Sequence, residues 1–123
     1  LALMNNQDLW LKAVDEHNAG EYFEAHELFE DLWLELDERS EKDTVQTLAQ
    51  ADALVVHLET GNTKAAQRLM RQLPELLQTF PDNYRGINLK EMKTWINYMI
   101  STIYSSSEMK DISEKEPPKL VHG

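Results

Sequence analysis

Apolar residues recur three and four apart through five stretches of the chain, the spacing that lines one face of an α-helix, and five helices without a sheet are predicted. In the first, Leu9, Trp10, Ala13, Val14 and His17 form the stripe, with Asn5 or Asn6 as cap, Asp8 in the first turn and Asn18-Ala19-Gly20 as stop. The second carries Tyr22, Ala25, Phe29, Leu32, Trp33 and Leu36 and fades by Leu36 to Asp37. Residues 38–43 are polar in every direction and read as the first real loop. Asp43 or Thr44 then caps a third helix with Val45, Leu48, Ala51, Leu54, Val55 and Leu58 buried, ending at Gly61. Asn62 or Thr63 caps the fourth, whose period runs through Ala65, Ala66, Leu69, Met70, Leu73, Leu76, Leu77 and Phe80. Pro74 lies inside it and predicts a kink or a restart near Leu73. A turn-rich connection, PDNYRG, separates it from the fifth helix, which Asn88 and Glu91 open as a capping box ahead of Met92, Trp95, Ile96, Met99 and Ile103.

Helices joined as tightly as those around Gly20 and Gly61 must be antiparallel neighbours. After each glycine come similar marks, Tyr22, Ala25, Phe29 and Leu32 against Thr63, Ala66, Met70 and Leu73, as in the second helix of a tetratricopeptide-like hairpin. The predicted fold class is all-α: a five-helix bundle of two stacked antiparallel hairpins plus a closing C-terminal helix. Residues 5–107 form the domain, 1–4 read as an added or frayed start with Met4 as a candidate initiator, and 108–123 as a charged, Pro-containing tail. That tail is expected to leave the domain or lie along it, and to add little stability.

Composition narrows the partners. Acidic residues outnumber basic ones 22 to 12, for a net charge of -10, so phosphate backbones are repelled and nucleic acid is not expected as a partner. Without cysteine there is no disulfide or thiolate zinc site, and any metal must be held by imidazole, carboxylate or carbonyl groups. No apolar run approaches a membrane span and the first residues lack a signal peptide's pattern, so the cytoplasm is the expected location.

One run stands out. NAGEYFEAHELFEDLW resembles the signature of a family of small bacterial, archaeal and plastid-lineage proteins called domain of unknown function three hundred and nine, in which a glycine and an aromatic precede His-Glu-x-x-Glu-x-x-Trp, here His26, Glu27, Glu30 and Trp33. Gln50 and His57 ahead of Gly61-Asn62, Ala65 or Ala66, and Tyr84-Arg85-Gly86-Ile87 extend the resemblance over roughly residues 6 to 103. It implies an all-helical fold and no assigned activity. Asp52 departs from the pattern, which expects a small residue there.

His26 falls inside the apolar stripe of its helix, and Glu30 follows one turn later on the shoulder. Polar groups so placed need partners. One reading is an internal tie, with the imidazole donating to Glu30 or to a backbone carbonyl of a neighbouring loop. The other is a metal site, since His-Glu-x-x-Glu is close to the zinc-protease helix His-Glu-x-x-His, with Glu27 as candidate catalytic base and His26 and Glu30 as ligands. A third ligand would have to be His57, His17 or Asp52, yet His57 points away from its helix's stripe and Glu27 lies on the far side of its own. A ferritin-like Glu-x-x-His pair fails, because Phe23 and Leu54 stand three residues before His26 and His57. Trp10, Trp33 and Trp95 read as core, and His17 as a core-edge histidine or a helix C-terminal cation.

The expectation is therefore a helical binding domain whose polar cluster, His26, Glu27, Glu30, Trp33, Gln50 and His57, is structural, with a protein or peptide partner or a second copy in a homodimer, and with no cofactor. The alternative is a hydrolase-like enzyme that uses a divalent metal ion.

Overall fold

The computed structural model describes residues 4–105 and 116–123. Its helices are α1 (Asn6–Asn18), α2 (Tyr22–Glu35), α3 (Arg39–Glu59), α4 (Thr63–Leu77) and α5 (Lys90–Ser105). Asn5 caps α1 by accepting from the Asp8 amide at 2.8 Å, and Asn62 caps α4 by accepting from Ala65 at 3.3 Å. The two hairpin corners close alike: Gly20 and Gly61 have φ of 80° and 75°, and the amides that follow, Glu21 and Asn62, reach back to the Glu16 and His57 carbonyls. Only this left-handed residue lets a helix end and reverse so abruptly. Sequence neighbours pack on one another, α1 on α2, α2 on α3, α3 on α4 and α4 on α5, giving the all-α bundle that the stripes predict.

The stripes face one core. Trp10, Phe29, Leu32, Leu48, Leu54, Met70, Leu73, Ile96 and Met99 are fully buried, with the Trp10 ring 5.9 Å from Phe29 and edge-on to Tyr84 at 5.0 Å. Trp95 is buried as well. The expected core side chain of Ile103, most of the expected frayed start and residues 108–115 of the expected tail lie outside the described residues.

Five local readings change. Helix α3 begins at Arg39, so the loop after α2 is shorter than the polar run suggested. Arg39 Nε grips both carboxylate oxygens of Asp43 one turn on, at 3.0 and 3.2 Å, and Lys42 Nζ reaches across to the α2 carbonyls of Trp33 at 2.7 Å and Leu36 at 3.2 Å. A polar first turn is held by side chains even without an apolar stripe. Helix α4 runs through Pro74 to Leu77 with no restart, since it ends within a turn of the lost hydrogen bond.

The third change is a small antiparallel sheet where none was expected: β1 (Asn83–Tyr84), β2 (Ile87–Asn88) and β3 (Val121–His122), in that order. Tyr84 pairs with Ile87 around Arg85 and Gly86, whose φ values of 47° and 81° match the two-residue turn that suits the twist of paired strands. The fourth concerns the tail. Residues 116–123 take the second of the two expected courses and lie along the domain, and what changes is burial: Leu120 is only 2% exposed, Pro117 is buried too, and β3 pairs with β2, although Val121 stays exposed. Last, the Asn88 side chain accepts from the Lys90 amide at 2.9 Å, two residues on, rather than closing the expected capping box with Glu91, because Asn88 belongs to β2 and α5 begins at Lys90.

Candidate functional site

The second helix presents Glu24, Glu27, Glu30, Asp31 and Glu35 with no lysine or arginine among them, while Ala25, Phe29 and Leu32 face inward. Between these faces, His26 and Trp33 are half-buried against α3. His26 Nδ1 lies 3.0 Å from the Ala49 carbonyl, which can only accept, so Nδ1 carries the proton and ties α2 to α3. Its partner is thus a carbonyl within a neighbouring helix rather than a loop. Nε2 faces Glu30 Oε1 at 3.4 Å, and with Nδ1 protonated this contact becomes attractive only when the ring takes a second proton. Glu30 is 57% exposed, so the pair is a surface pair.

Below this tie the two helices part into a groove of about 280 Å³ lined by Glu30, Trp33, Leu34, Gln46, Ala49 and Gln50. The Lys42 ammonium sits 3.9 Å over the Trp33 ring while it donates to two carbonyls at the end of α2, which fixes the indole in place. Leu34, 69% exposed, stands at the rim. Gln50 Oε1 is buried and has no hydrogen-bond partner among the described residues. A second recess of about 500 Å³ opens across Gln46 and Gln50 toward α4, so the polar ridge of α3 divides one continuous face.

Of the sequence-predicted cluster, the fold therefore brings together His26, Glu30, Trp33 and Gln50. Glu27 is exposed on the outer side of α2, and His57 is half-buried two turns beyond Ala49, about 12 Å along α3. The other two candidate third ligands, His17 and Asp52, are occupied with each other. Among the described residues no three His, Cys, Asp or Glu side chains are grouped to hold a metal ion.

That second pair is what the sequence reading missed. His17 Nδ1 lies 2.7 Å from Asp52 Oδ1, both side chains deep in the protein, and Nε2 lies 2.8 Å from the carbonyl of half-buried Pro118. Nε2 must donate, and one proton is shared between Nδ1 and the carboxylate. Burial works against a charged His17, but the hydrogen bond and charge of Asp52 and the Pro118 carbonyl outweigh it and raise the imidazole above 6.5. Burial raises the Asp52 carboxyl above 3.8 against the opposing pull of His17 and His26. The Tyr22 ring stands edge-on to His17 at 5.5 Å. The signal was present: an aspartate at a position where a small residue was expected, and a histidine on the core stripe of the preceding hairpin helix.

The Tyr84-Arg85 pair is likewise a junction. Tyr84 donates to Glu41 at 2.8 Å, Arg85 Nε donates to the Tyr84 oxygen at 3.0 Å, and Arg85 Nη1 donates to Gln7 at 2.8 Å, joining the β1–β2 turn to α1 and α3.

Residues 10–69 match the model of a family described as Domain of unknown function (DUF309). A protein of Aquifex aeolicus (strain VF5), named only as an uncharacterized protein, is 26% identical over 122 residues, which cover 99% of this chain and 34% of that protein. The chain thus spans about a third of the length of the relative it matches. No helix among the described residues is long and apolar enough to cross a membrane.

Proposed function

We propose that this chain is a binding module whose α2–α3 groove receives an amphipathic, basic peptide segment of a partner protein in the cytoplasm. The observation that carries the reading is the joining of Glu30, Trp33 and Gln50 in one groove, with an exposed leucine at its rim and a buried amide oxygen at its wall. An apolar side chain of the partner covers Trp33 and Leu34, a donor meets Gln50 Oε1, and a lysine or arginine meets Glu30. The row of carboxylates on α2 supplies the wider attraction for a basic segment. A helix lying in a groove between two helices is a common recognition mode, and stacked tetratricopeptide-like hairpins suit it. The reading requires no cofactor.

The test is a titration of isotope-labelled protein with amphipathic peptides of basic and acidic composition. Basic peptides should shift the resonances of Trp33, Leu34, Gln46 and Gln50 in a saturable way, and Leu34→Glu should remove the effect. Shifts that are absent, or scattered over other faces, would refute the assignment.

A further inference from the structure

Residues 116–123 are held to the helices and to β2 largely through their main chain. The Asn18 side chain reads the backbone of Leu120 from both sides, accepting its N–H at 2.7 Å and donating to its carbonyl at 2.8 Å. His17 donates to the carbonyl of Pro118 at 2.8 Å, and His17 is itself 3% exposed and braced by Asp52. Beyond Leu120 the segment adds a strand to β2, Asn88 opposite Val121 and Ile87 opposite His122, and the Gly123 amide reaches the Gly86 carbonyl at 3.1 Å.

These contacts address the main chain. The side chains follow a different rule: Pro117 and Leu120 are buried, whereas Glu116, Lys119, Val121 and His122 are exposed. In an extended polyproline conformation there are three residues per turn, so positions three apart share a face, and Pro117-Pro118 favours that conformation. Trp95, Tyr98 and Thr94 line a shallow recess beside Glu116 and Pro118, the aromatic wall that proline-led segments use. Main-chain pairing, an asparagine clamp and the burial of Pro117 and Leu120 together form a peptide-recognition site.

We infer that the corner of α1 and α2, together with the edge of β2, is a receptor for an extended peptide of the form Pro-Pro-x-Leu, filled here by residues 116–123 and open to a peptide of the same chemistry from another chain when that segment leaves. Residues 106–115 tether the segment, so its intramolecular seat operates at a high effective concentration. An external peptide therefore competes with it and binds weakly to the intact chain. This site is separate from the α2–α3 groove and does not depend on it.

The experiment uses the full chain and a fluorescent peptide with the sequence of residues 116–123, acetylated and amidated. Leu120→Asp in the chain removes the anchor of its own segment and leaves the receptor intact. The peptide should bind this variant saturably and at least ~10-fold more tightly than it binds the parent, because the competing segment no longer fills the site. Asn18→Ala in the same variant should abolish the gain, as should an aspartate in place of the peptide's leucine. A Leu120→Asp chain with parental circular dichroism that binds no peptide would overturn the proposal, as would binding indifferent to Asn18→Ala. Should Leu120→Asp not fold, a protease site placed within residues 106–115 and cut after folding keeps every segment present. Labelled peptide should then exchange into the cut protein, or restore its fold if the freed segment departs, and failure of both outcomes would equally overturn the proposal.

Discussion

His17 of α1 and Asp52 of α3 meet at 2.7 Å with both side chains almost wholly buried, and through Pro118 they bind residues 116–123 to the helices. Removing one member strands the other in a dry interior, where breaking a buried pair typically costs about 3–5 kcal/mol. His17→Ala and Asp52→Ala should each lower stability by an amount of that order. Because the second change removes the group that the first stranded, the double variant should lose clearly less than the sum. Chemical denaturation of the four proteins measures the coupling, and additive losses would show that the pair is not a unit.

The same pair sets a pH dependence. His17 is raised above its ordinary value, so its contribution is complete below about 6.5 and is lost as pH rises through the higher folded value. The raised Asp52 carboxyl acts with the same sign, its part declining upward from 3.8, because the folded protein again holds the proton more tightly than the unfolded chain. The melting midpoint should therefore fall as pH rises above about 6.5, and the slope should flatten in a His17→Gln/Asp52→Asn variant. Scanning calorimetry across that range checks it.

Residues 116–123 should matter to stability more than their composition suggests. Leu120→Ala leaves a cavity at a position 2% exposed, and buried leucine-to-alanine changes cost about 2–5 kcal/mol. Thermal denaturation of this variant should show a drop of several degrees, whereas Val121→Ala, at 54% exposure, should change little.

Lys42 is a junction on a smaller scale. Lys42→Ala removes a charge-assisted cap on α2 and a cation from the Trp33 face, a loss of about 1–2 kcal/mol. Lys42→Met should recover part of it, since the aliphatic stem still covers the indole. Denaturation curves for both variants separate charge from packing.

Most of the fold was legible because helices declare themselves locally. The stripes around Phe29, Leu48 and Met70, the caps at Asn5 and Asn62 and the reversals at Gly20 and Gly61 all depend on residues a few positions apart. What escaped depends on distant partners. The polar turn from Arg39 is helical partly because Lys42 finds the end of α2, β3 is a strand only because Ile87 and Asn88 offer an edge, and Leu120 is buried through an asparagine 102 residues away. The candidate site divided in the same manner. His26, Glu30 and Trp33 share one helix face and could be grouped from spacing, and Gln50 joined them through the packing of α3, whereas His17 and Asp52 were each noticed singly and paired only by the fold.

His26 ties α2 to α3 through the Ala49 carbonyl, and the proposed binding role requires that the exposed Glu30 carboxylate beside Trp33 meet a partner rather than brace the fold. Glu30→Gln decides it most directly, measured for both thermal stability and binding of basic amphipathic peptides. An exposed pair of this kind is worth about 0–1 kcal/mol, so the melting midpoint should stay close to the parent while peptide affinity falls. A Glu30→Gln protein that melts markedly lower and binds peptides as the parent does would contradict the claim and make the carboxylate part of the internal tie.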